Sequence, residues 1–146
     1  MTDNANLYAQ FQKNFPADKD TQLLLTSDGR SVSYAEAVDT SARIANSLLA
    51  LGAAPGDRIT VQVDKSTENL FLYLACLRAG LVYHPLNTAY TASELSYFLD
   101  DAEPSLVICG SEAVATIETA LAAKDTSKNE IKALLTLNAD GSGSLM

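Results

Sequence analysis

An α/β layered fold with a mainly parallel sheet and a peripheral N-terminal hairpin is predicted from three observations. Short β-prone runs alternate with helix-periodic stretches through most of the 146 residues. Ser105-Leu106-Val107-Ile108-Cys109 is apolar at nearly every position, the pattern of a strand buried on both faces of a parallel sheet. Glycines and prolines fall at the ends of these runs, so each element is short and separately bounded.

Taken in order, Leu7 to Phe15 reads as one or two helical turns ended by Pro16. Gln22–Thr26 and Ser31–Ser33 flank Asp28-Gly29, a strong hairpin signal between β-prone runs. Ser33-Tyr34-Ala35-Glu36 has the spacing of a capping box. The helix it opens carries Ala37, Val38, Ile44, Ala45, Leu48 and Leu49 on one stripe and ends at Gly52. After the turn Pro55-Gly56-Asp57, Arg58–Val63 is a β-branched strand. A helix starting at Ser66 or Thr67 runs to Ala79 under a Gly80 cap, and Leu81–His84 is a strand closed by Pro85. Thr91 and Glu94 form a second capping box, with Leu95, Phe98, Leu99 and Ala102 on one face and Pro104 as the stop. Val114, Ile117 and Leu121 mark a further helix, and Ala133–Leu137 a last short strand. Residues 138–146 read as a flexible polar tail.

Leu70 to Leu77 is apolar through two turns, leaving no polar face. A helix of that kind belongs inside a larger body, packed on more than one side. The expectation is that part of this helix lies exposed in the isolated chain, which then self-associates or is marginally stable.

Composition narrows the function classes. Hydrophobic content is 47% and formal net charge is −8, with ten basic residues spread singly, so nothing tracks a nucleic-acid backbone. No apolar run approaches the ~18–20 residues that cross a bilayer. Met1 to Asn6 has neither a basic region nor an apolar signal core, and a cytoplasmic protein is expected. Cys76 and Cys109 lie in apolar surroundings with no CxxC spacing, as buried free thiols do.

Candidate chemistry is sparse. His84 is the one histidine, so no Ser-His-Asp set forms without it; beside Pro85 in an apolar strand it reads as a structural imidazole bonded to backbone. Asp100, Asp101 and Glu103 read as a solvated helix end. Gly141-Ser142-Gly143-Ser144 lacks the lysine and helix that a phosphate cradle needs. Asp64 to Glu68 follows a strand at the edge where open α/β sheets place ligands, yet helix capping alone accounts for Ser66 and Thr67.

Two motifs supply what this inventory does not. Ser31 to Glu36 is similar to the early (S/T)Y-x-E motif of the AMP-forming acyl-CoA synthetases. Leu77 to Asn87 is similar to their L-x-A-G-x-x-Y-x-P-L-(D/N) motif, with His84 where an apolar residue is usual. Lys65-Ser66, Leu72–Ala75, Asn87–Thr91, Glu94-Leu95, Tyr97-Phe98 and Asp101–Pro104 resemble the malonyl-CoA synthetases in particular. The resemblance runs from Gln22 to Leu145.

The resemblance implies that residues 1–146 form one unit, the N-terminal subdomain of a longer ligase whose remainder is its partner. In such an enzyme a carboxylate attacks the α-phosphate of Mg-ATP, releasing pyrophosphate. The CoA thiol then displaces AMP from the acyl-adenylate. The family's phosphate loop, nucleotide-binding acid, acyl-pocket arginine and mobile-domain lysine have no counterparts here, so no catalytic residue and no bound cofactor or metal is expected of this chain; ATP, Mg2+ and CoA belong to the parent enzyme. Relatives use the neighbourhood of Asn87 to Tyr90 as part of the rim where the CoA nucleotide lies, which assigns Thr88, Ala89 and Tyr90 to a CoA-side rim. The competing readings are a stand-alone binding module on the same scaffold, a parent ligase for another carboxylate, and a small unrelated α/β enzyme.

Overall fold

The computed structural model describes residues 4–123 and 130–146; Met1 to Asp3, part of the N-terminus considered above, lie outside them. In chain order the elements are α1 (Leu7–Lys13), β1 (Gln22–Leu25), β2 (Ser31–Ser33), α2 (Tyr34–Ala50), β3 (Arg58–Gln62) and α3 (Thr67–Ala79). They continue with β4 (Val82–Pro85), α4 (Ala92–Ala102), β5 (Leu106–Cys109), a 3-10 turn at Ser111–Ala113, α5 (Val114–Ala122) and β6 (Ala133–Thr136). Strands β1 and β2 form a separate antiparallel pair, and the main sheet has the order β4-β3-β5-β6, parallel throughout. This is the α/β arrangement expected, with the hairpin at its periphery.

Side-chain alternation along β3 and β5 divides the core in two. Ile59, Val61, Leu106 and Ile108 face one side, together with Phe71, Leu72 and Ala75 of α3 and Ile44, Ala45 and Leu48 of α2. Val107 and Cys109 face the other, with Leu95 and Leu99 of α4 and Ile117 and Ala120 of α5. All four residues of β5 are buried, as its apolar run requires of a strand covered on both faces.

Four sequence expectations are corrected. At the start of α2, Ser33 Oγ accepts from the Glu36 amide, but the Glu36 carboxylate turns away to Arg30 Nη2 at 2.6 Å, so the box is half-formed. The Thr91–Glu94 box is complete, the Glu94 carboxylate accepting from the Thr91 amide and hydroxyl. On α2 the buried stripe runs through Thr40 and Ser41 while Leu49 is exposed, because Ser41 Oγ returns a hydrogen bond to the Val38 carbonyl and can enter the core satisfied.

The third correction concerns α3. Phe71, Leu72, Leu74, Ala75 and Cys76 are buried within the chain itself, and no residue of α3 is among the exposed large hydrophobics. The covering layer within the chain comes from α2 and α1. Arg78 ties the three helices together: its Nη1 donates to the Tyr8 hydroxyl and the Val38 carbonyl, both at 2.8 Å, while its guanidinium lies 4.6 Å from the Tyr8 ring centroid. The exposure on which the expected self-association rested is therefore absent from α3.

The last correction concerns residues 138–146, expected as a flexible polar tail. Asn138 to Ser142 closes a turn, the Ser144 amide donates to Thr136 Oγ1, the Leu145 amide donates to the Thr136 carbonyl, and Leu145 is buried. One apolar residue near the end, with serine and aspartate side chains satisfying the turn, folds the segment back beside β6. Among the described residues, no helix is long and apolar enough to cross a membrane.

Candidate functional site

The chain order within the sheet creates a crevice. From β3 the chain crosses by α3 to β4, then returns by α4 to β5 on the opposite side of β3. The connections on either side of the β3–β5 boundary thus lie on opposite faces, and the carboxyl ends of these two strands flank a topological switch point, where open α/β sheets bind ligands. The Gly110 amide donates to the Gln62 carbonyl at 3.2 Å, carrying the ladder to the rim.

Gln62, Thr88, Tyr90, Glu112, Ala113 and Thr116 line a pocket of about 180 Å³ at this point. Thr88 and Tyr90, two of the three residues assigned to the rim from sequence, are brought together on one wall; Ala89 is not among the lining residues. Tyr90 is stacked on Phe98, ring centroids 5.1 Å apart, and the Ala89 amide donates to Asn87 Oδ1, so the loop is held by its own side chains and by α4. Gln62 Nε2 donates to the Asn87 carbonyl at 2.9 Å and fastens the loop to β3. A second hollow, about 290 Å³, is lined by Asp64, Gly110, Glu112, Leu137, Asn138, Ala139 and Asp140, so Glu112 borders both.

Sequence reasoning missed Gln62, Glu112 and Thr116. Gln62 did carry a signal, an amide in an otherwise apolar strand, whereas nothing local marked Glu112 or Thr116.

The remaining candidates fall away from this rim. His84 sits in β4 with its Nδ1 2.9 Å from Thr60 Oγ1, so its partner is a side chain on the paired strand and not backbone. Burial, then the nearby Arg58 charge, holds its pKa below the usual value, against the opposing influence of Asp101. Ser66 caps α3 through the Asn69 amide, as capping requires. Glu68 is buried and ion-paired to Arg30 Nη1 at 2.7 Å. Cys76 and Cys109 are buried free thiols, pushed by burial up to about 12 and about 11, and so are unreactive at neutral pH.

Residues 141–144 do not fit a phosphate. The Gly141 amide donates to the Asn138 carbonyl, the Ser142 amide to Asp140 Oδ1 and the Ser144 amide to Thr136 Oγ1. A β-carbon on Gly143 would stand 2.3 Å from the Thr136 carbonyl oxygen, so the loop is pressed against β6. Among the described residues, no group of three or more His, Cys, Asp or Glu could hold a metal ion.

Residues 10–144 match the AMP-binding enzyme family, nearly the whole chain. The chain belongs to the AMP-binding enzyme family. It corresponds to the N-terminal part of the adenylate-forming acyl-CoA synthetases. Its structure superposes on ATP-bound MatB from Rhodopseudomonas palustris with a TM-score of 0.85 and 44% identity, covering 97% of this chain and 27% of that one. A probable CoA ligase of Humulus lupulus, CCL9, is 31% identical over 74% of this chain and 21% of its own length. Acetyl-coenzyme A synthetase of Mycolicibacterium smegmatis is 37% identical over 56% of this chain and 9% of its own. The family chain described here therefore spans about a quarter or less of these relatives.

Proposed function

We propose that this chain is the N-terminal portion of an ATP-dependent, AMP-forming acyl-CoA ligase acting on malonate, and that it has no turnover of its own. One observation carries the ligase reading: 44% identity to an ATP-binding relative across 97% of the chain. Support for malonate comes from the resemblance of Lys65-Ser66, Leu72–Ala75 and Asn87–Thr91 to malonyl-CoA synthetases.

ATP and Mg2+ would activate the acid, and the residues present do not fit either group, so no adenylation step is assigned to this chain. Its part is to build the sheet and one rim of its crevice. Thr88, Ala89 and Tyr90 form the proposed CoA-side rim, where the Thr88 hydroxyl and the Tyr90 ring offer a polar contact and a flat apolar one. Gln62 holds that rim in place through the Asn87 carbonyl. The purified 146-residue chain is expected to release no pyrophosphate from ATP with malonate, methylmalonate or a fatty acid. Acid-dependent release above blank overturns the reading.

A further inference from the structure

Gln62 is bonded to both walls of the crevice at once. Its main-chain carbonyl accepts from the Gly110 amide at 3.2 Å, at the head of the segment that carries Glu112, Ala113 and Thr116. Its side chain reaches the other wall, where Nε2 donates to the Asn87 carbonyl at 2.9 Å. That carbonyl also accepts from the Tyr90 amide at 3.2 Å, so Gln62 takes hold of the oxygen that closes the 87–90 turn. Before the turn the Leu86 amide is fixed to the Val61 carbonyl, and at its end Tyr90 is stacked on Phe98. Thr88 and Ala89 lie between these two points, both exposed, and Asn87 is their anchor to the sheet.

Stability does not explain a glutamine at this position. The residue is 2% exposed, and its Oε1 is buried without a hydrogen-bond partner among the described residues. Turning the amide over only brings Oε1 against the Asn87 oxygen. One unmet buried acceptor costs at least as much as one hydrogen bond gains on balance. Asn87 is exposed, so water can replace the bond that its carbonyl receives from Gln62. A methionine has a similar length and buries no amide. What the glutamine secures is the place of the loop.

We propose that Gln62 is a positioning residue for CoA: at a cost in stability it fixes the loop of Thr88, Ala89 and Tyr90 against the 110–116 wall, and so sets the CoA-side rim without acting on ATP. The proposal rests on the reading of residues 88–90 as that rim. Gln62 itself touches no reacting atom, and its effect passes through the Asn87 carbonyl to the loop.

Gln62→Met tests it, first in the 146-residue chain. Its urea midpoint is expected at or above that of the unaltered chain. In the same variant, 15N relaxation should give lower order parameters at Thr88 and Ala89 and leave those of β3 and β5 in place. A lower midpoint, or unchanged order parameters at both loop residues, overturns the proposal. The second measurement joins residues 1–146 to the remainder of MatB from Rhodopseudomonas palustris and follows thioester formation from malonate, ATP and CoA. Gln62→Met is expected to raise the KM for CoA about fivefold, as the loss of one net hydrogen bond gives, and the KM for ATP less than about twofold. Equal rises for ATP and CoA mean that the residue supports the fold at large, and overturn the proposal. Thr88→Ala and Tyr90→Ala in the same fusion separate the two readings. If they raise the KM for CoA and Gln62→Met does not, the rim stands and the positioning role falls. If none of the three raises it, both fall. The measurements on the chain alone decide the matter where the fusion is inactive.

Discussion

Arg30, in the hairpin turn, is expected to hold together three elements distant in sequence. Its Nη1 reaches Glu68 Oε1 at the start of α3 at 2.7 Å, and its Nη2 reaches Glu36 Oε1 at the start of α2 at 2.6 Å. The two carboxylates differ in surroundings: the Glu68 side chain is 9% exposed, that of Glu36 37%, and that of Arg30 43%. Gly141 packs on Glu68 as well, since a β-carbon there would lie 3.2 Å from Glu68 Cγ. Arg30→Ala leaves a buried carboxylate without its cation and with the 138–146 turn resting on it. Losing one partner of a fully buried pair costs about 3–5 kcal/mol, and an exposed pair is worth about 0.2–1 kcal/mol. Water reaches the guanidinium here, so the expected loss is about 1.5–2.5 kcal/mol, between those limits. Urea unfolding followed by circular dichroism measures it in Arg30→Ala, Glu68→Gln, Glu36→Gln and the two double variants that combine Arg30→Ala with each. A coupling of about 1 kcal/mol is expected between Arg30 and Glu68, against less than about 0.5 kcal/mol between Arg30 and Glu36. An Arg30→Ala loss under 0.5 kcal/mol, or strict additivity with Glu68→Gln, would refute the reasoning.

Further expectations follow from single contacts. Gly143 has φ +131°, and Gly143→Ala presses a β-carbon onto the Thr136 carbonyl, so a loss of about 1–3 kcal/mol is expected in the same unfolding assay, and a neutral result would mean that the turn is loosely held. His84 has a folded pKa below 6.5, so as pH falls the unfolded chain takes up its proton first. The contribution of its neutral form is complete above 6.5 and lost as pH drops from there toward the folded value; His84→Gln should flatten that part of the stability–pH curve, and an unchanged slope would count against it. With α3 covered by α1 and α2, light scattering should give the 15.5 kDa monomer, whereas a concentration-dependent dimer that binds a hydrophobic dye would mean that the α3 face opens.

How much of this was legible in the sequence depended on whether a feature was local. The Gly80 cap, the Thr91–Glu94 box and the hairpin at Asp28-Gly29 are set by a few adjacent residues, and they form where the sequence places them. The apolar run of β5 states its own burial. The covering of α3 was not legible, because an all-apolar helix declares that something must pack on it and not what does; here the partner is α2, built around the buried Ser41 and Thr40. Glu36 was assigned to a cap because Arg30's reach to it, and on to Glu68 across 38 residues, leaves no local pattern. At the rim, Thr88 and Tyr90 came from a motif, while Gln62 became visible only when β3 set it beneath the Asn87 loop.

The central claim is that this chain supplies a scaffold and rim to a ligase whose adenylating groups lie elsewhere. A chimera tests it most directly: residues 1–146 replace the corresponding N-terminal part of MatB from Rhodopseudomonas palustris, and pyrophosphate release from ATP is measured with added carboxylic acids beside the isolated chain. The chimera should fold and release pyrophosphate in an acid-dependent way, with malonate the preferred acid, while the isolated chain releases none. A folded but inactive chimera, or release by the isolated chain, would contradict the account.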